Sequence, residues 1–198
     1  MLAKRKYKIG IFGSPIGTDT RLVNKLQELG RELAKNRVIL ITGACTGAPY
    51  IVAYEAAKKA GTEVWGFSPE LNFKQQKIAT PEDDLSIYSK LTYMPKNFSF
   101  ISSPAVCKKY RNVISTATCD AGIIIAGRWG SLNEFTNLVD MGKIVAVLTQ
   151  TGGIADELQR LTKKIKKGTE KKIIYNNKPS KLVQELIHEL SAKTNQNN

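Results

Sequence analysis

From end to end the sequence repeats one unit: a short apolar run of β-forming residues, a turn, and a longer segment of helical character. Residues 7–12 read as a first strand, and Val38-Ile39-Leu40-Ile41-Thr42 as a second. Further runs follow at 64–67, 121–125, 144–148 and 172–175, with a short strand expected at 91–94. Several of these runs are continuously apolar rather than alternating, the pattern of strands buried on both faces. Between them lie helical stretches. One carries Leu22, Leu26, Leu29 and Leu33 at i, i+4, i+7 and i+11 behind a cap at Asp19 or Thr20. Others are expected at 50–60, ending at Gly61, and from Ser103-Pro104 through Arg111 to residue 117. Three more are expected at 132–141, 154–165 and 179–190.

Repeated strand–turn–helix units connect by right-handed crossovers into a parallel sheet. The fold class is therefore α/β: a Rossmann-like, doubly wound parallel sheet of about six or seven strands with helices on both faces. One domain over residues 1–192 is expected, with 193–198 a disordered tail. The stretch from 68 to 99 is the least regular, with one short helix expected after Thr80-Pro81-Glu82-Asp83. Excursions of that length in compact domains often serve as lids or binding loops.

Composition narrows the function classes. No stretch reaches the roughly 18 apolar residues that span a bilayer, and the basic N-terminus has no apolar segment after it, so a cytoplasmic protein without membrane contact is expected. Cys45, Cys107 and Cys119 are an odd number, far apart, and the chain has a single His, His188. A zinc site, any other metal site and a disulfide framework are all disfavoured, and free thiols suit a reducing compartment. The formal charge of +13 favours an anionic ligand without identifying it. Its densest cluster, between Lys163 and Lys172, lacks the aromatic residues that a single-stranded nucleic acid would stack on, so nucleic acid is not the expected partner.

Ligands of doubly wound sheets bind outside the carboxyl ends of the strands. Three Gly-rich turns fall there: Gly13-Ser14-Pro15-Ile16-Gly17, Gly43-Ala44-Cys45-Thr46-Gly47, and Gly127-Arg128-Trp129-Gly130. Glycine lets the backbone approach an anion closely at a helix N-terminus, where free N–H groups and the dipole favour phosphate. In the third turn Ser131 reads as an N-cap and Glu134, three residues on, as the partner in a capping box. Glu134 thus has a purely structural explanation open to it. Arg128 and Trp129 have one too, as a solvated charge and a packed ring.

The stretch Ala126-Gly127-Arg128-Trp129-Gly130-Ser131-Leu132-Asn133-Glu134 resembles the P-G-G-x-G-T-x-x-E signature of the lonely-guy (LOG) family, once misannotated as lysine decarboxylases, within the wider SLOG group. Lys108-Lys109-Tyr110-Arg111-Asn112 is similar to the family's Arg-containing helix, Cys119-Asp120-Ala121 to its lead into a strand, and residues 43–47 to its first Gly-rich loop. Gly142-Lys143 and Thr151-Gly152-Gly153-Ile154-Ala155-Asp156 resemble its uncharacterised nucleotide-binding branch, and the likeness runs from about residue 7 to 190. The resemblance implies hydrolysis of the N-glycosidic bond of a nucleoside 5′-monophosphate, without a cofactor, in a homodimer or higher homo-oligomer. It implies Arg111 and Glu134 as catalytic residues. It implies a phosphate held by Gly43, Thr46, Gly47, Gly127, Gly130 and Ser131, and Gly13, Ser14, Arg128 and Trp129 of the same turns are expected to join in binding the phosphate or nucleotide. Ala126, Arg128 and Ser131 stand where the signature has Pro, Gly and Thr. Arg128 either fills the pocket or clamps the phosphate. Two alternatives follow from other relatives: a carrier of a nucleotide-like cofactor such as molybdenum cofactor, and a nucleic-acid binder. Lysine decarboxylation has no support, because no lysine lies in a recognisable pyridoxal-phosphate setting.

Overall fold

The computed structural model describes residues 6–15, 17, 19–59, 61–165 and 173–196. Seven parallel strands form one sheet: β1 (Tyr7–Gly13), β2 (Val38–Thr42), β3 (Glu63–Phe67), β4 (Lys90–Thr92), β5 (Ala121–Ile125), β6 (Ile144–Leu148) and β7 (Ile173–Asn176), in the order β4-β3-β2-β1-β5-β6-β7. The helices are α1 (Thr20–Ala34), α2 (Ala48–Ala57), α3 (Phe73–Ala79), α4 (Pro104–Thr118), α5 (Trp129–Asp140), α6 (Gly153–Lys164) and α7 (Pro179–Gln196).

The continuous apolar runs are explained by two cores, one on each face. Alternate residues of each strand go to opposite sides. Ile9, Ile11, Leu40, Ile123 and Leu148 join Leu26, Leu29 and Leu33 of α1, Val52 and Ala56 of α2, and Leu182 and Leu186 of α7. Phe12, Ile41, Ile124, Val145 and Val147 meet Phe135 and Leu138 of α5 and Ala155 and Leu158 of α6 on the other side. Burying each such side chain contributes about 1.5–3 kcal/mol, so β1, β2, β5 and β6 are held from both faces. The order of strands reverses between β1 and β5. Chains leaving these two strands turn to opposite faces and open a crevice at the carboxyl edge.

Several boundaries differ from expectation. α2 ends at Ala57 with Lys58 as C-cap, ahead of Gly61, whose φ is +86°. In the 68–99 stretch, α3 precedes Thr80, where no helix was expected, and only one 3-10 turn, Leu85–Ile87, follows it. The strand expected at 91–94 is β4, and it extends the sheet alongside β3. α7 runs to Gln196, into the segment expected to be a disordered tail. The cysteines are free, Cys107 and Cys119 buried and Cys45 half-buried. Leu138 belongs to the core, while Val106 and Val113 lie on the outer surface of α4. Among the described residues no helix is long and apolar enough to cross a membrane. The lysine cluster between Lys163 and Lys172 falls mostly outside the described residues.

Candidate functional site

β1, β2 and β5 lie side by side, so the three Gly-rich turns that follow them meet at one edge. Gly13 ends β1 in register with Ile125, the last residue of β5. Ser14 then reaches the second turn, its carbonyl accepting the Ala48 N–H at 3.1 Å. Gly47 has φ +120°, and a Cβ there would stand 2.8 Å from Pro15 Cα; both backbone angle and space demand glycine. α2 starts directly after Gly47 with no side-chain cap and with Pro49 in its first turn.

The second turn is also tied to α4. The Arg111 guanidinium donates through Nη1 to the Gly43 carbonyl and lies 3.9 Å from Cys45 Sγ. A Cβ on Gly43 would coincide with that guanidinium, so the absence of a side chain here admits the arginine. Arg111 Nε is buried and has no hydrogen-bond partner.

In the third turn, Gly127 has φ +96° and lies against Ser131, where a Cβ would meet the Ser131 Cβ at 2.5 Å. The Ala126 and Gly127 carbonyls accept the Ala155 and Ile154 N–H groups, both at 2.9 Å, and the Thr151 hydroxyl accepts the Ala126 N–H at 2.8 Å. These bonds lock the turn onto the start of α6. α5 begins at Trp129, three residues before the expected start. Its N-cap is Arg128, which makes no side-chain capping bond. Ser131 is therefore a buried first-turn residue and not the N-cap, and the capping box with Glu134 does not form. The reason is local: the sharp turn at Gly127 ends at once in helical geometry, which Gly130 can join. Arg128 is exposed and Trp129 is 82% exposed, so neither is the packed or pocket-filling residue that the sequence left open. Gly130 faces open space.

Glu134 sits one turn further along α5 on the buried stripe Ser131, Glu134, Phe135, Leu138. It is 6% exposed. No hydrogen bond from the described residues reaches its carboxylate. Burial pushes the carboxyl up to about 7, against the opposing pull of the Arg111 and Lys109 cations. Asn112 Oδ1 and Asn137 Nδ2, on the same two helices, are likewise buried without partners. Buried polar atoms are nearly always satisfied, and here α4 carries two unsatisfied ones, Arg111 Nε and Asn112 Oδ1, and α5 a third, Asn137 Nδ2.

Thr46 is exposed and tied to the 68–99 stretch. Its hydroxyl donates to Asp83 Oδ2 at 3.1 Å. Asp83 is a residue that the sequence marked only as the start of a short helix. No group of His, Cys, Asp and Glu among the described residues could hold a metal ion.

A family model described as the SLOG cluster 4 family matches residues 6–183. The chain belongs to the SLOG cluster 4 family. The fold of this SLOG protein recurs in solved structures of low identity. TM1055, a structural-genomics target, is 20% identical with a TM-score of 0.72, and the match covers 92% of this chain and 99% of that one. The molybdenum cofactor binding protein of the phototrophic bacterium Rippkaea orientalis is 17% identical with a TM-score of 0.66, covering 95% and 99%. DNA processing protein A of Helicobacter pylori is 20% identical with a TM-score of 0.62, covering 92% and 81%. No curated protein sequence matches this SLOG protein.

Proposed function

We propose that this SLOG protein binds a nucleoside 5′-monophosphate along the carboxyl edge and hydrolyses its N-glycosidic bond to free base and ribose 5-phosphate. The observation that carries this reading is the buried, unpartnered Glu134 carboxyl at about 7, facing the charge of Arg111, whose Nε is also unpartnered. The 5′-phosphate sits at the uncapped start of α5, on the N–H groups of residues 129–131, with Arg128 free to swing over it. Arg111 holds ribose oxygens with the donors that Gly43 does not use.

Glu134 then acts on water. It takes a proton as the water oxygen bonds to C1′. The C1′–N bond breaks, its electron pair leaving with the base, which takes up a proton from solvent while Glu134 releases to solvent the one it accepted. The negative carboxylate also stabilises the oxocarbenium character that builds at C1′. A carboxyl titrating near neutrality suits a group that must accept and later release a proton. Incubation with a panel of monophosphates, assayed for ribose 5-phosphate, tests the reading. Turnover by the wild type that vanishes in Glu134→Ala supports it; no turnover on any member refutes the hydrolytic step.

A second reading is a carrier of a larger phosphorylated ligand. It is supported by the likeness to molybdenum cofactor binding proteins over nearly the whole of both chains and by Arg128, which leaves the mouth of the site exposed. Phosphate-dependent thermal stabilisation without any turnover would favour it. The likeness to a single-stranded DNA binding protein is tested by filter binding across a salt series, where a phosphate-gripping surface gives a steep slope. The reading includes a homodimer formed through the outer face of α4, where Val106 and Val113 are exposed, as is Phe100 just before the helix. Light scattering of wild type and Val113→Asp checks it.

A further inference from the structure

The 68–99 stretch forms a fixed wall beside the second turn. Ser68 Oγ donates to Gln76 Oε1 at 2.5 Å, and Gln76 Nε2 donates to the Ala44 carbonyl at 2.8 Å and to Thr80 Oγ1 at 3.0 Å. Gln76 is 1% exposed, so this network is part of the interior and grips the 43–47 turn from behind.

The wall ends at Asp83, which is 2% exposed. Its Oδ2 accepts the Thr46 hydroxyl proton. Its Oδ1 has no hydrogen-bond partner among the described residues. Lys77, the cation beside it, donates instead to the Pro81 and Asp83 carbonyls at 2.8 and 3.0 Å. Burial accordingly holds the Asp83 carboxyl above the usual range. Thr46 spends its only proton on Asp83 and presents lone pairs alone to the turn. Thr46 and Asp83 together therefore offer a ligand hydrogen-bond acceptors and no donor. A phosphate, itself an acceptor and negative, gains nothing from Thr46 and is repelled by Asp83.

We propose that Asp83 is a ligand-binding residue, taking hydrogen bonds from the hydroxyl or N–H donors of the nucleoside half, so that the ligand lies with its phosphate on α5 and its nucleoside over the 43–47 turn. The span fits. β2 and β5 are separated by β1 alone, and neighbouring strands are about 4.8 Å apart, which places the two turns roughly 10 Å apart. In this arrangement the Thr46 hydroxyl is engaged by Asp83 and is not counted among the phosphate donors. It rests on the phosphate position argued above.

Calorimetry with wild type and Asp83→Asn, each titrated with AMP, 2′,3′-dideoxy-AMP and ribose 5-phosphate, tests it. Asparagine keeps the shape and can still accept the Thr46 proton, but it loses one acceptor and faces the ligand donor with an amide. The expected result is at least a tenfold loss for AMP. The loss disappears for the dideoxy ligand if the donor is the ribose diol, or for ribose 5-phosphate if it is the base. AMP affinity equal in the two proteins overturns the inference while leaving the phosphate site standing. An equal loss for all three ligands shows a structural role and overturns it too. Wild type that binds none of the three overturns both this inference and the function proposed above. Should the variant not fold, wild-type affinity that is the same for all three ligands is the overturning result, and a preference for AMP is the supporting one.

Discussion

Replacing Glu134 by glutamine is expected to stabilise the protein in a strongly pH-dependent way. Burial lifts this carboxyl from 4.5 to about 7 in the fold. A folded value above the unfolded one means that ionisation is easier in the unfolded chain, so the penalty is absent below about pH 4.5. It grows as pH rises and is complete above about 7. At 1.36 kcal/mol for each tenfold change in acidity, the full penalty is about 3 kcal/mol at pH 8 and under about 1 kcal/mol at pH 5. The glutamine carries no charge at either pH. Whatever its amide costs in a site without partners is the same at both, so the informative quantity is the change in the wild-type-to-variant difference. For a chain of this length 1 kcal/mol moves the melting temperature by roughly 2–4 °C. The variant should therefore gain roughly 4–10 °C on wild type between pH 5 and pH 8, read by scanning fluorimetry or calorimetry in constant-ionic-strength buffers. Parallel melting curves across that range would show that Glu134 titrates normally, and would remove the physical basis for its acid–base role. In the same series wild-type kcat/KM should rise with pH through about 7, as Glu134 becomes able to accept a proton.

Three further substitutions separate fold from site. Gly127→Ala imposes a Cβ at φ +96° against Ser131 and should destabilise by about 1–3 kcal/mol, seen as a lower urea midpoint with unchanged slope. Gly130→Ala meets nothing within 4 Å and, in the first turn of α5, should leave stability unchanged or raise it by up to about 1 kcal/mol. If the N–H groups of that turn hold the phosphate, the same variant should lose most of the thermal shift given by AMP. Arg111→Lys removes the planar fork that reaches Gly43 and should weaken AMP binding about tenfold by calorimetry, with a smaller effect on melting.

The sheet and its cores were legible because the physics that buries a strand on both faces leaves a continuous apolar run, as in Val38–Thr42 and Ala121–Ile125. α1 was legible from its leucine stripe, and Asp19 does cap it, accepting the Arg21 N–H at 2.9 Å. α3 was not, because its one buried residue is Gln76 and a helix held by a polar network shows no apolar period. The start of α5 was misplaced because Ser131 with Glu134 imitates a capping box, whereas the true start is set by the Gly127 turn. At the candidate site, Arg111 and Glu134 could be named because the resemblance to the LOG signature lies in short local stretches. The pairing of Thr46 with Asp83 spans 37 residues, and no local pattern encodes it.

Strain in the backbone points to the same edge by a separate route. Among the described residues three that are not glycine have positive φ: Ala44 at 49°, Ala126 at 48° and Gln150 at 56°. They follow β2, β5 and β6, all at the carboxyl ends, and such conformations cost about 1–3 kcal/mol each. Two of them stand next to a glycine, Gly43 before Ala44 and Gly127 after Ala126, and each is fixed by its neighbours: Ala44 by Thr42 and Gln76, Ala126 by Thr151 and the start of α6. Local strain persists only where surrounding bonds over-determine it, and the bonds that do so here hold the two turns on either side of β1 rigid. A site that binds by backbone N–H groups needs that rigidity, because loops that reordered on binding would give back in conformational entropy what their hydrogen bonds contribute. The strained turns therefore favour the proposed preformed cradle, at whose rim Arg128 and Trp129 are exposed.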